Sequence, residues 1–300
     1  MKPCSIFQLQ RLSVNDGEGI RTTVFFKGCA LRCQWCANPE SWSFASQLMF
    51  FPHKCSGCGS CVAVCKQRTN TLDDSGNIVF DSEKCINCGE CLASCPSNAR
   101  QLMGRELPVE AVIKEIKKDY IFYQESGGGV TFSGGEPFLH PEYLRQLNQA
   151  CHSIGINTAV ESCAQFDFES CLDIVENIDQ LFFDIKIMDS AKHKKYTGQD
   201  NALILENIAA ASKINSNIIV RVPVISGIND GDGKMLAMCS FLKGNTSIRT
   251  VELLPYHKLG FEKMAALGIA ARDFATPSED KMKHLQELIV GEGLEVVSFK

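Results

Sequence analysis

Apolar residues recur along this chain in two rhythms that alternate. From about Pro108 onward, short continuous apolar runs alternate with stretches whose apolar positions return every three or four residues. Pro108 opens a helix in which Val109, Val112, Ile113, Ile116 and Tyr120 fall on one face. Residues 129–132 then read as a buried strand, followed by a helix over about 141–152. Further strands are expected at 158–160, 181–185, 217–224 and 250–254, the last two each preceded by a helix. Residues 294–299 are expected to close the sheet, and 22–26 to begin it. Such runs suit parallel strands, because helices cover both faces of a parallel sheet.

The pattern predicts an α/β chain built as a partial (β/α) barrel of TIM type, with functional residues at the carboxyl ends of its strands. Residues 51–104 break the rhythm and are expected to form an inserted domain between a first barrel segment, 1–50, and the remainder, 105–300. The insert contains an internal repeat, K-C-x2-C-G-x-C, beginning at Lys54 and again at Lys84.

Composition narrows the classes. A chain of 300 residues, 45% hydrophobic and 22% charged, can bury a full core. A formal net charge of −5 argues against nucleic-acid binding, which favours a basic face. No stretch approaches the roughly 20 apolar residues of a membrane span, and no export signal opens the chain. Sixteen cysteines without an export signal imply a reducing cytoplasm and metal binding rather than disulfides. Oxygen would damage such sites, so an anaerobic setting is expected.

Eleven of the sixteen cysteines fall in three groups. Cys55, Cys58, Cys61 and Cys65 form C-x2-C-x2-C-x3-C, and Cys85, Cys88, Cys91 and Cys95 repeat it. This is the bacterial ferredoxin signature for [4Fe–4S] clusters, with two zinc sites as the alternative. In two-cluster ferredoxins the fourth cysteine of each run serves the other cluster. That rule groups Cys55, Cys58 and Cys61 with Cys95, and Cys85, Cys88 and Cys91 with Cys65. Cys29, Cys33 and Cys36 form a set of only three, C-x3-C-x2-C. A zinc knuckle lacking a ligand, or plain buried cysteines, are the bland readings, since closed zinc sites take four ligands. A third [4Fe–4S] cluster on three thiolates would leave one iron open for chemistry. The remaining thiols, Cys4, Cys151, Cys163, Cys171 and Cys239, are expected to be buried hydrophobes, with Cys163 also a functional candidate because it lies beside Glu161 and Ser162 at the expected mouth.

The run Gly28 to Glu40, G-C-A-L-R-C-Q-W-C-A-N-P-E, together with S-G-G-E-P at 133–137, resembles the radical S-adenosylmethionine superfamily. Within it, D-G-E-G-I-R at 16–21 and the ferredoxin-like insert resemble the activating enzymes of glycyl radical enzymes. The resemblance spans nearly the whole chain. It implies reductive cleavage of S-adenosylmethionine to a 5′-deoxyadenosyl radical, which removes hydrogen from a backbone glycine of a partner enzyme. Cys29, Cys33 and Cys36 would carry the reactive cluster. Gly134, Gly135 and Glu136 would meet the methionine amino group, with Glu136 as acceptor. Asp184 and Lys186, alternating on a strand end, would reach the cofactor carboxylate, with a rim ion pair as the plainer reading. Glu161 and Ser162 match an acidic-hydroxyl pair near cofactor and glycyl peptide. Arg221, a cation in an apolar strand, needs an anion, for which the cofactor carboxylate is a candidate. His257, in L-P-Y-H-K-L-G, resembles a histidine beside the ribose.

The implied partners are a glycyl radical enzyme, tilted towards a lyase or dehydratase, and an external low-potential reductant such as flavodoxin or ferredoxin. The insert clusters would relay electrons. A monomer is expected. The rivals are a radical S-adenosylmethionine enzyme acting on a small molecule or RNA, and a non-catalytic ferredoxin-type carrier.

Overall fold

The computed structural model describes residues 4–299. Its strands, in chain order, are β1 (Cys4–Ser13), β2 (Arg21–Phe26), β3 (Gln47–Phe50), β4 (Asn70–Leu72), β5 (Ile78–Phe80), β6 (Arg100–Met103) and β7 (Arg105–Leu107). There follow β8 (Gly129–Gly134), β9 (Asn157–Ser162), β10 (Gln180–Asp184), β11 (Ile218–Val224), β12 (Thr250–Pro255) and β13 (Glu295–Val297). Nine of them make one sheet in the order β13-β12-β11-β10-β9-β8-β2-β1-β7. All pairings from β2 through β13 are parallel. The seven expected parallel strands therefore all form. The last does not join another edge: among the described residues the sheet ends at β13 on one side and at β7 on the other.

The parallel strands are legible as apolar runs because both their faces are covered. β8 buries its first five residues, and Leu181, Phe182 and Phe183 of β10 are wholly buried. The helix Pro141–His152 shows how the outer layer is made. Proline occupies its first turn, Tyr143, Leu144, Leu147 and Cys151 face the sheet, and Glu142 and Arg145 face water.

Two strands of this sheet were not expected. β1 pairs antiparallel with β2, and β7 with β1, so this edge is antiparallel. Beyond its buried first residues, β1 exposes Gln8, Gln10 and Arg11, an alternation typical of a half-covered antiparallel strand. The helix expected from Pro108 also differs. Pro108 caps Val109–Ile116, a turn at Lys117–Asp119 breaks the run, and Tyr120–Ser126 continues. The break turns Tyr120 to solvent and buries Tyr123, whose hydroxyl donates to Thr22 Oγ1 at 2.6 Å. The turn also buries Asp119, which accepts Arg11 Nε at 2.8 Å and Thr22 Oγ1 at 3.0 Å.

Between β2 and β7 the chain builds two separate small sheets, β3 with β6 and β4 with β5, both antiparallel. The repeat is visible as two short helices, Ser60–Val64 and Glu90–Ala93, each preceded by a left-handed glycine. The φ angles of Gly59 and Gly89 are 72° and 81°, which glycine adopts without strain. Leu48, Cys61 and Cys91 form a small core of their own with Ile78 and Phe80.

Candidate functional site

Six consecutive strands of the large sheet, β2 and β8 to β12, deliver their carboxyl ends to one cavity of about 250 Å³. Cys29, Cys33 and Cys36 follow β2, and Ser133, Gly134 and Gly135 end β8. Glu161, Ser162 and Cys163 come from β9, Asp184 and Lys186 from β10, Arg221 from β11, and Tyr256 and His257 from beyond β12. The expected convergence is therefore present. One residue stands apart: Glu136 does not line the cavity.

Glu136 is wholly buried beneath the cavity. Ser162 Oγ donates to both its oxygens, at 2.9 and 3.0 Å, while the backbone N–H groups of Cys163 and Phe138 donate at 2.8 and 3.2 Å. Protein donors thus take the acceptor capacity expected to serve a ligand ammonium. Burial pushes its carboxyl up to about 7, against hydrogen bonds from Cys163 and Ser162 that favour the anion. The glycines ahead of it are required by chain packing. Gly134 has φ +109°, and a Cβ there would lie 2.5 Å from Phe26 N; at Gly135 it would lie 2.1 Å from Gly28 O. The backbone bonds Gly135 N to Phe26 O at 2.8 Å and Glu136 N to Gly28 O at 2.7 Å. The β8 end therefore anchors the chain one residue before Cys29.

Charge in the cavity is arranged in two sets. Lys186 Nζ pairs with Asp184 Oδ2 at 2.6 Å. Burial pulls the Lys186 ammonium down, but Asp184 and the thiols of Cys33 and Cys163 outweigh this and hold it above its ordinary value. The second set surrounds Arg221, which pairs with Glu161 and, at 2.6 Å, with Glu252 of the neighbouring strand. Phe182 lies flat against the guanidinium, 3.8 Å from its ring centroid. The anion that Arg221 requires is thus supplied by protein carboxylates. Glu161 also accepts from Ser133 Oγ, and burial raises its carboxyl against the pull of Arg221. The 14–20 loop reaches this set through Asn15 O, which accepts from Arg221 Nη2 at 3.3 Å. In that loop Asp16 accepts from Ser13 Oγ at 2.7 Å and from Thr23.

The three thiols of the first cysteine set are embedded. Burial pushes Cys33 far up, and Cys36 up to about 11 with Cys29 adding to it. Cys29 is held below its ordinary value by a hydrogen bond with Cys163, whose own thiol is raised by the same contact. Buried thiolates of this kind need a cation, and Lys186 alone cannot neutralise three; a metal cluster can. The cavity and donor set therefore fit an iron–sulfur cluster. Among the described residues no three His, Cys, Asp or Glu side chains gather closely enough to hold a single metal ion. The cysteines surround cavities instead.

Two smaller cavities lie in the 47–103 region. One is lined by Cys55, Cys58, Cys61 and Cys95, the other by Cys65, Cys85, Cys88 and Cys91. Cys163, which the sequence places beside Glu161 and Ser162 at the expected mouth, does line the cavity, whereas sequence reasoning missed Ser133 in the same cavity, Arg100 in one of the smaller ones, and Glu252 as the partner of Arg221. Strand pairing, which the sequence does not give, puts Glu252 opposite Arg221. His53 is exposed and packs edge-on against Phe51, and Cys4, Cys151, Cys171 and Cys239 are buried.

The Radical SAM superfamily matches residues 23–239, from within β2 to the middle of the helix Asp232–Asn245 after β11. The chain is 41% identical over 288 residues to a trans-4-hydroxy-L-proline dehydratase activating enzyme of Clostridioides difficile, covering 94% of this chain and 95% of that one. It is 41% identical over 298 residues to a 4-hydroxyphenylacetate decarboxylase activating enzyme of C. difficile strain 630, covering 96% and 94%. Among solved structures, a radical SAM methyltransferase from Sphaerobacter thermophilus shares the fold, with TM-score 0.53 at 12% identity over 92% of this chain and 65% of that one. The chain belongs to the radical SAM superfamily and, within it, to the activating enzymes of glycyl radical enzymes. That membership implies a [4Fe–4S] cluster and S-adenosylmethionine. No helix among the described residues is long and apolar enough to cross a membrane.

Proposed function

We propose that this chain activates a glycyl radical enzyme of the lyase, dehydratase or decarboxylase kind, using a cluster on Cys29, Cys33 and Cys36. The observation that carries this reading is the single cavity where those thiols meet the β8 glycines, the Asp184–Lys186 pair and the loop of Tyr256 and His257. When bound, the cluster and S-adenosylmethionine supply one-electron cleavage of a sulfonium S–C bond, giving the 5′-deoxyadenosyl radical that takes hydrogen from a partner's glycine.

The chain's own residues bind and orient. Lys186, held by Asp184, would present its ammonium to the cofactor carboxylate. Glu161 and the 133–135 backbone face the cavity where the methionine ammonium would sit, while Glu136 acts from beneath by fixing Ser162 and the Cys163 backbone. Arg221 acts through Glu161, which it orients from the barrel interior. His257, which lines the same cavity, would meet the ribose.

The 51–104 segment we read as a ferredoxin-like insert with two further [4Fe–4S] clusters. Its separate small core and the exchange of Cys65 and Cys95 between the two cavities support that reading. The two free sheet edges support a partial barrel. A flavodoxin or ferredoxin as reductant, a monomeric state and a cytoplasmic, anaerobic setting complete the proposal.

The test is anaerobic. Reconstituted and reduced protein given S-adenosylmethionine should form 5′-deoxyadenosine, Cys33→Ala should form none, and a partner lyase or dehydratase should acquire a glycyl radical in electron paramagnetic resonance. Fully iron-loaded protein that forms no 5′-deoxyadenosine, with or without a partner, would overturn the reading.

A further inference from the structure

The two cysteine runs are near copies, yet the fold breaks their symmetry at one matched pair. Five residues beyond the last cysteine of each run stand Asn70, after Cys65, and Arg100, after Cys95. Both are buried between the two cavities, and Arg100 Nη2 donates to Asn70 Oδ1 at 2.6 Å. Asn70 Nδ2 donates to Cys61 O at 3.2 Å, and its side chain hydrogen-bonds Cys91. Arg100 Nη2 also approaches Cys61 Sγ, at 3.6 Å, and Arg100 lines the cavity of Cys55, Cys58, Cys61 and Cys95 but not the other. One cavity is therefore lined by a guanidinium, while its twin has only the Asn70 amide behind Cys91.

This guanidinium lacks an anion. It is 1% exposed and clamped between the rings of Phe50 and Phe80, 3.9 and 4.7 Å from their centroids. No carboxylate pairs with it among the described residues, and its Nη1 is buried without a hydrogen-bond partner. A buried unpaired cation is strongly unfavourable. A cluster ligated by four thiolates is a net anion, and it becomes more negative on reduction. Such a cluster in the adjacent cavity would supply the missing charge, and the cation would favour its reduced form.

We propose that Arg100 makes the two insert clusters unequal, so that the one held by Cys55, Cys58, Cys61 and Cys95 is the easier to reduce and holds the electron in preference to its twin. The proposal rests on the two-cluster reading of the insert. The step moves one electron from a low-potential donor onto the cluster core, taking it from the 2+ to the 1+ state. No bond breaks. Arg100 is here a positioning residue, acting on the cluster through charge and its hydrogen bond to Cys61. It reaches Cys91 only by its charge and at one remove, through Asn70.

The experiment uses the full chain with Cys29, Cys33 and Cys36 changed to alanine, so that only the insert can hold iron. The protein is loaded anaerobically, titrated with dithionite, and followed by electron paramagnetic resonance. Two clusters' worth of iron and two separated reduction waves are expected. Arg100→Gln should move the more positive wave to lower potential and narrow the gap, while Arg100→Lys, which keeps the charge, should hold it near its place. Asn70→Asp, which sets a carboxylate against the guanidinium, should lower the same wave and serves if the Gln variant does not fold. Iron below two clusters in the parent protein would sink the two-cluster reading itself. Full iron with coincident waves, or with waves that neither variant moves, would overturn the role of Arg100 and leave that reading standing. A Lys variant shifted as far as Gln would also overturn the charge argument.

Discussion

Replacing Arg221 by glutamine tests whether the barrel interior is held by charge compensation. The guanidinium is 4% exposed and lies between Glu161 and Glu252, with Phe182 closing one face. Glutamine keeps a polar group but leaves the buried Glu252 and the partly buried Glu161 without a counter-charge. Removing one partner of a buried pair costs about 3–5 kcal/mol. For a chain of 300 residues, at about 2.1 cal/mol/K per residue, that corresponds to a fall in Tm of about 5–8 °C. The assay is anaerobic thermal unfolding of cluster-loaded protein, followed by circular dichroism. Adding Glu252→Gln to Arg221→Gln removes one stranded charge and should recover about 1–3 kcal/mol as coupling energy. A single variant that unfolds within about 1 °C of wild type, or a double variant that loses the sum of both costs, would refute the reasoning.

Gly135→Ala should cost about 3 kcal/mol, because its Cβ would meet Gly28 O at 2.1 Å; iron should drop selectively at the three-cysteine site, as counted against insert iron by Mössbauer spectroscopy. Gly233→Ala is the contrast, in a helix with open space around it, and should raise stability by about 0.5–1 kcal/mol in denaturant unfolding. Lys186→Met should weaken S-adenosylmethionine binding by about 10–100-fold while leaving iron content unchanged, as read by equilibrium dialysis. Arg11 lies beside Asp119 and holds its carboxyl below the usual value in the folded chain. The folded state therefore binds this proton less readily than the unfolded state, so the stabilisation is present at neutral pH and fades as pH falls through the carboxylate range. Asp119→Asn should accordingly be less stable than wild type at pH 7, and the gap in urea midpoints should shrink on acidification.

What could be read from the sequence depended on how many residues set each feature. The parallel strands were visible because burial on both faces makes each an apolar run in its own right. β1 escaped because only one of its faces is covered, so its polar Gln8, Gln10 and Arg11 masked it; β7, with Arg105 and Glu106 exposed, carries almost no apolar signal. The thiols, the β8 glycines and the Asp184–Lys186 pair were legible through short spacings within one strand or loop. Glu136 was legible as a motif residue but not in its direction, which Ser162 and Cys163 set from another strand. Arg100 and Glu252 owe their setting to partners 30 and 31 residues away, Asn70 and Arg221. No local pattern encodes such pairings.

The β3–β6 ladder sets Phe50 directly opposite Arg100, so the chain leaves the large sheet's surroundings and returns at adjacent points. Everything between these two residues is, to the sheet, a loop closed at its neck. Lengthening, shortening or exchanging it shifts no register in β1, β2 or β7, because the ladder absorbs the change before it reaches them. The molecule thus has a socket, and a tight two-residue hairpin in place of residues 51–99 is the shortest plug that would fit it.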